Sequence, residues 1–284
     1  HSIEITLQDS NTNNPELLVL SGWLRPTDSS INLALSQGSI KAPKGLQVEY
    51  LNEEGSWTIL HENYGIPAGK TKTILLDLEG VFDRQNDRKI RLTTTSEIYW
   101  DGIFQAEKMD AGQITETELK PVKMELQYRG FSEWSRADST SPMLPDYNEI
   151  SSTTQRWRDL EGFHTRFGDV SELLAKVDDR YVIMNAGDEI ELQFKAAEPP
   201  KDGYQRSFVF VSDGWEKDGD YNTEASATVL PLPYHGQKDY EYGGNKLLWD
   251  DPVYQKHKED WVNYHTRYIT PTEFRSALMF DDEK

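Results

Sequence analysis

Short runs of alternating apolar and polar residues occupy the first part of this chain and limit the folds open to it. Ile3–Leu7 and Leu46–Tyr50 alternate strictly, as strands with one wet and one dry face do. Turn-forming residues interrupt the series at Pro26–Asp28 and Asn52–Ser56. A strand about every ten residues, with no helical stretch between, is typical of a β-sandwich or jelly roll. The pattern predicts such a domain over residues 1–112.

The polar stretch Lys108–Thr117 ends this strand series and predicts a domain boundary. The second domain is then expected over residues 113–284. Ser132–Arg158 is rich in Ser, Thr, Asp and Pro, which favours one long loop. Val170–Ala175 is expected to form a short helix, with either Asp169 or Ser171 as its N-cap.

Later segments predict further strands and one more helix. Arg180–Met184 and Glu189–Phe194 flank a turn and are expected to pair as a hairpin. Gln205–Ser212 is an apolar run that predicts a buried strand. His257–Tyr268 is expected to be the last helix. The predicted fold is mostly β, with an N-terminal jelly roll or β-sandwich and a second β-sandwich-like domain with long loops and few short helices.

The charge and the lack of cysteine exclude several classes of function. The formal net charge is −19 and there is no cysteine. So negative a chain repels phosphate backbones, which argues against nucleic-acid binding. Disulfides, cysteine-ligated zinc and thiol nucleophiles are excluded. No apolar run approaches the roughly 18 residues of a membrane span, so no membrane span is expected.

Catalytic motifs are missing as well. The sequence has no G-x-S-x-G and no S-x-x-K motif, so nucleophilic catalysis has no anchor. With 49 acidic residues, some pair of carboxylates always has a spacing suited to glycoside hydrolysis, and the sequence selects none of them. The sequence favours binding over catalysis and leaves enzymatic activity open.

Two regions resemble a known family. YGIPAGKTKTILLDL at Tyr64–Leu78 and RLTTTSEIYWDGIF at Arg91–Phe104 resemble a β-domain of exported bacterial proteins with FG-GAP/VCBS, ASPIC/UnbV and tetratricopeptide repeats. Within Leu126–Leu248, LQYRGFS, RWRDLEGFHTRFGDVSELL, DDRYVIMNAGDEIELQF, FVFVSDGWEKDGDYNT and TVLPLPYHG resemble the C-terminal region of the same proteins. The resemblance implies an extracytoplasmic, non-catalytic module. It transfers no functional residue.

An acidic loop, Asp213–Glu224, predicts a calcium site. It concentrates oxygen side chains around two glycines, and Ca²⁺ prefers six to eight oxygen ligands supplied by a tightly turning segment. The alternative is a solvated loop whose Asp and Asn side chains cap their own backbone. The expected metal ligands are Asp213, Asp218, Asp220 and Asn222.

Aromatic residues in loop-rich segments are candidate ligand contacts. Exposed aromatic rings stack on sugars or anchor protein interfaces. They also serve as apolar pegs that hold long loops against a sandwich. The candidate ligand-binding residues are Trp134, Trp157, Trp215 and Tyr234.

Three functions remain open from these observations. The first is a non-catalytic exported binding or assembly module, stabilised by calcium. The second is a carbohydrate-binding module or carbohydrate-active protein. The third is a structural subunit of a larger extracytoplasmic complex. The expected partner is accordingly a protein or a glycan.

Overall fold

Strands dominate the computed structural model of this chain. It describes residues 1–9, 14–24, 29–39, 41–82, 88–108, 114–139, 141, 143–154, 159–217, 225–238 and 247–270. Strands make up 38% of the described residues and helices 9%, in several antiparallel sheets. The predicted mostly-β fold class is confirmed. The chain divides into two compact units, His1–Glu116 and Thr117–Lys284.

The first unit contains two antiparallel sheets. Its strands are β1 (Ser2–Thr6), β2 (Glu16–Leu24), β3 (Gln47–Leu51), β4 (Trp57–His61), β5 (Gly69–Asp77), β6 (Lys89–Thr93) and β7 (Ile98–Glu107). One sheet has the order β1-β6-β3-β4 and the other the order β5-β2-β7. Neighbouring strands in both sheets run antiparallel.

Both sheets contribute to one apolar core. Leu18 and Leu20 of β2 are buried together with Leu76 of β5. Val48 of β3 and Ile90 of β6 join them from the other sheet. Because alternate residues of a strand point to the same face, each strand supplies one apolar row. Two sheets packed over a shared core form a β-sandwich.

A helix in the first unit was not expected from the sequence. Helix α1 spans Ser29–Gln37 and has no buried residue. Leu33, Ala34 and Leu35 have high helix propensity, which favours this helix. The prediction of a unit without a helical stretch was wrong because it considered strand alternation alone.

The second unit holds smaller sheets and short helices. Its strands are β8 (Pro121–Tyr128), β9 (Phe131–Ser135), β10 (Leu144–Ser152), β11 (Gly162–His164), β12 (Gly168–Asp169), β13 (Asp188–Phe194) and β14 (Arg267–Ile269). A 3-10 turn covers Leu248–Asp250, and the helices are α2 (Pro252–Lys256) and α3 (Asp260–Asn263). The sheets are β12-β8-β13, β9-β10 and β11-β14.

Two expectations for strand pairing in this unit were wrong. The loop predicted over Ser132–Arg158 instead contains most of the antiparallel pair β9–β10. Register shifts interrupt that pair, so its sequence shows no clean alternation. The predicted hairpin also fails, because β13 pairs with the distant β8 and not with Arg180–Met184. Sequence proximity suggested the wrong partner.

Two predicted helices also differ from the structure. Val170–Ala175 forms turns, stabilised at the start by the Asp169 carboxylate, which accepts a hydrogen bond from the Ser171 N–H at 2.9 Å. His257–Tyr268 contains the four-residue α3 and then enters β14. Helices this short are marginal by themselves, so tertiary contacts decide the conformation.

Candidate functional site

A large cleft lies within the second unit, with a volume of about 1280 Å³. The face of the β12-β8-β13 sheet forms one wall, through Ile190, Leu192 and Phe194 of β13 and Met124 of β8. Leu192 lies directly opposite Met124 in the strand register. These side chains therefore share one face of the sheet, and this wall is apolar.

Buried side chains line the cleft beside the sheet. Leu173 belongs to the core cluster that packs on Leu126 of β8, and Ile183 belongs to a second cluster with Val229 and Leu232. Both residues also line the cleft. The cleft thus lies where two separate apolar clusters of the second unit meet solvent.

The segment Gln205–Ser212, which we call the lone segment, also lines the cleft, through Ser207–Ser212. It was predicted to be a buried strand, and that prediction was wrong. Four consecutive apolar side chains are 67% to 88% exposed: Phe208, Val209, Phe210 and Val211. Among the residues that the structure describes, none pairs with this segment as a strand. Hydrophobicity predicted burial, but no neighbouring strand provides it.

Lys217 anchors the chain that leaves the lone segment. Its ammonium group donates hydrogen bonds to the carbonyl oxygens of Val229 at 3.0 Å and Leu230 at 2.8 Å. Burial lowers the pKa of Lys217 to about 8. The carbonyl oxygens compensate part of this desolvation. Lys217 therefore holds one end of the cleft wall against the segment that contains the cis Leu230–Pro231 bond.

His235 connects two carboxylates beside the cleft. Its Nδ1–H donates to Asp179 Oδ1 and its Nε2–H donates to Asp213 Oδ2, both at 2.8 Å. Two donating ring nitrogens require the imidazolium form. The hydrogen bond to Asp179, followed by the one to Asp213, raises the pKa of His235. We call these three residues the Asp–His–Asp clamp.

The clamp also stabilises the charged form of Asp179. Burial acts to raise the pKa of this carboxyl group, but hydrogen bonds from His235 and Lys256 outweigh burial and lower it to about 2. Asp213, one of the predicted calcium ligands, thus has one carboxylate oxygen engaged by a histidine. The clamp fixes the chain immediately after the lone segment.

Two predicted ligand-binding residues lie next to the clamp. Trp215 lines the cleft and is 42% exposed. Its ring meets the His235 ring edge to face, with centroids 5.9 Å apart. Tyr234 is half-buried and packs against the core cluster of Ile183 and its neighbours. The structure therefore brings Asp213, Trp215 and Tyr234 into one neighbourhood.

The other predicted site residues are not part of this neighbourhood. Trp134 lies in β9 and is 47% exposed, and it does not line the cleft. Trp157, Asp218, Asp220 and Asn222 lie outside the described residues. Among the described residues, no three His, Asp or Glu side chains converge in a way that suits a metal ion. The calcium site stays a prediction.

Two buried histidines near the cleft were not identified from the sequence. Burial lowers the pKa of His265 to about 4, and burial also lowers the pKa of His164. His265 Nδ1 accepts a hydrogen bond from the Thr165 hydroxyl at 3.1 Å. His164 lines the cleft, and its Nδ1–H donates to the Gly162 carbonyl oxygen. Both rings are neutral at pH 7.

No local motif marks these histidines or Lys217 in the sequence. A lone histidine or lysine between turn residues gives no signal of burial. Lys217 is bonded to a segment 12 to 13 positions away and His265 to a residue 100 positions away. Asp213 and Trp215 were found because acidic and aromatic residues are concentrated in that segment. Their shared partner, His235, was not.

Comparisons with other proteins do not identify this site. No helix of the described residues is long and apolar enough to cross a membrane. No protein-family model, curated protein or solved structure matches this chain. The cleft and the clamp must be interpreted from their own chemistry.

Proposed function

We propose that this chain is an exported binding module and that the cleft of its second unit binds an apolar ligand. The cleft carries the proposal. Its walls are the apolar face of β8 and β13 and the lone segment. Removing apolar surface from water contributes about 25 cal/mol per Å². A concave site with mostly apolar walls and a few polar groups is the usual form of a binding pocket.

The polar groups in the cleft are suited to orienting a ligand. His164 is neutral and Lys217 is held by backbone carbonyl groups, so neither brings an uncompensated charge into the cleft. Sugar hydroxyls need many hydrogen-bonding partners, and most of the residues that line the cleft are apolar. We therefore favour an apolar ligand over a glycan. The location outside the cytoplasm is inferred from the sequence resemblance.

The test is a titration with N-phenyl-1-naphthylamine, an uncharged fluorophore that brightens in apolar surroundings. We expect saturable binding to the wild-type protein at one site. The Leu192→Asp variant, which places a carboxylate in the sheet wall, should bind at least about tenfold more weakly because burying a charge is costly.

A matched control keeps the added charge and moves it out of the cleft. Gln193 neighbours Leu192 on β13 and points to the other face of the sheet. The Gln193→Asp variant should bind the fluorophore as the wild type does. Failure of the wild type to bind would disprove the proposal. Equal loss in both variants would show that the charge perturbs the fold and not the site.

A further inference from the structure

We propose that the ligand of the cleft is an extended peptide segment of a partner protein, which adds as a strand beside the lone segment. This inference rests on the proposed function, because it takes the cleft as the binding site. It adds the chemical class of the ligand and the mode of recognition.

The backbone of the lone segment is available for pairing. The chain runs without a turn or a bend from Tyr204 to Lys217. The backbone N–H and C=O groups of Gln205–Ser212 form no hydrogen bond with any residue that the structure describes. An open row of such groups is a template for a further strand.

The side chains of the lone segment do not protect it against such pairing. Edge strands are usually protected by charged residues or proline. The central stretch Ser207–Ser212 reads SFVFVS and has neither. Phe208, Val209 and Val211 are more exposed than any large apolar residue of the strands β8–β14. Strand addition uses this combination of free backbone and exposed apolar side chains.

The apolar face of β8 and β13 supplies the second requirement, a surface for the peptide side chains. Stacked β-layers lie about 10 Å apart, and neighbouring strands within a layer lie about 4.8 Å apart. The lone segment and the sheet residues Leu192 and Phe194 line the same cleft. A peptide paired with it would direct alternate side chains towards this wall.

The size of the cleft favours a peptide over a small molecule. Pockets for small molecules usually measure about 300–1000 Å³, and this cleft measures about 1280 Å³. It also has an elongated wall, the unbent lone segment. Several consecutive side chains of a peptide would fill a volume that one small ligand leaves partly empty.

Charge indicates the composition of the peptide. The chain has a net charge of −19, and the cleft is lined by four carboxylates, including Asp213 and Glu216, against three basic side chains, Lys176, Arg180 and Lys217. A basic partner is attracted by such a surface. The fitting peptide thus has apolar residues at alternate positions and lysine or arginine between or beside them.

The probe is the fluorescein-labelled peptide Lys-Val-Thr-Val-Lys-Val-Thr-Val-Lys. It is compared with two N-methylated forms, one methylated on the valines and one on the residues between them. A strand pairs through the N–H groups of alternate residues. We therefore expect one form to lose at least about tenfold in affinity, the effect of one or two lost hydrogen bonds, and the other to bind much better.

The matching change in the protein removes single backbone donors. Val209→Pro and Phe210→Pro delete N–H groups that point to opposite edges of the lone segment, with Val209→Ala and Phe210→Ala as controls. We expect one proline variant to bind the peptide at least about tenfold more weakly than its alanine control. Because both side chains are exposed, the melting temperatures should remain close to that of the wild type.

The outcomes separate this inference from the proposed function. Equal binding of both N-methylated peptides, or no peptide binding while N-phenyl-1-naphthylamine still binds, overturns strand addition and leaves the apolar cleft in place. If the wild-type protein binds neither the peptide nor N-phenyl-1-naphthylamine, both proposals are overturned. A dimer in sedimentation experiments that Val209→Pro dissociates would show that a second copy of this chain occupies the segment, and this result also overturns the partner peptide.

Discussion

Apolar runs of similar sequence are buried in the first unit and partly exposed in the second unit. In the first unit, apolar rows from two sheets meet and form one core that includes Leu20 and Val48. In the second unit, the described core is divided into two clusters, and the apolar face of β13 borders a cleft. The comparison shows that an alternating or apolar run becomes core only where another layer covers it. Where the layer is incomplete, the same kind of residue lines an open cleft.

The largest expected effect is a loss of stability, and it compares a buried residue of the first unit with an exposed residue of the second unit. Leu20 is 0% exposed, and Leu20→Ala should reduce the free energy of unfolding of the first unit by about 4 kcal/mol, through lost apolar burial and a cavity. Val211→Ala in the lone segment should change the stability by less than about 0.5 kcal/mol. Denaturant titration with hydrogen exchange, which resolves the two units, measures both. Comparable losses would show that the lone segment is packed in solution.

The next largest effect is that acid should destabilise the second unit. The pKa of His265 is lowered to about 4, so the folded second unit binds its proton less readily than the unfolded chain, whose histidine pKa is about 6.5. Stability is then fully present above pH 6.5 and declines as the pH falls towards 4, by about 3 kcal/mol at most. His265→Gln should flatten this dependence.

The control for the acid experiment lies in the first unit. His61, at the end of β4, is changed to Gln, and the pH dependence of the second unit should persist. Hydrogen exchange at pH 4.5 and pH 7 locates the loss of protection. If the first unit opens before the second, buried histidines do not determine the acid stability.

Calcium provides a third test of the difference between the units. The sequence predicts a site that includes Asp213 and the segment after it, so millimolar Ca²⁺ should raise the melting temperature of the second unit and leave the first unchanged. Binding at a hundred times Kd stabilises by about 2.7 kcal/mol, and Mg²⁺ should do less. The Asp218→Ala/Asp220→Ala variant should lose the shift. If Ca²⁺ still raises the melting temperature of this variant, the ion binds elsewhere.

The smallest expected effect concerns the Asp–His–Asp clamp. The pKa of His235 is raised in the folded state, so the stabilisation is complete below pH 6.5 and is lost as the pH rises through the raised value. Hydrogen exchange of Asp213–Lys217 should therefore accelerate between pH 6 and pH 8.5 beyond the intrinsic rate increase. His235→Gln should remove this excess. An unchanged profile in the variant would show that the clamp does not restrain this segment.

Local sequence was informative where residues alternate next to a turn. The alternating run Leu46–Tyr50 precedes the turn-forming residues Asn52–Ser56, and there β3 and β4 form a hairpin whose turn contains Gly55 at φ 76°. The Asn52 side chain accepts hydrogen bonds from the N–H groups of Glu54 and Ser56. All of these determinants lie within a few residues of one another, so the sequence reveals them.

Distance along the chain explains the failures. The partner of β13 is β8, about 65 positions away, and no local pattern indicates it. The Asp–His–Asp clamp joins positions 179, 213 and 235 in the same way. Acidic and aromatic residues in Asp213–Glu224 indicated a site, but its histidine partner came from another segment.

The sequence by itself determined the mostly-β fold class, the alternating rows of the first unit and the strongly acidic charge. These follow from local periodicity and composition. The tertiary structure alone decided which apolar rows are covered. Phe208–Val211 and Leu18–Leu20 are similarly apolar in the sequence, yet only the latter contribute to a core. The hydrophobic effect acts on area removed from water, and that area depends on the neighbours that the fold supplies.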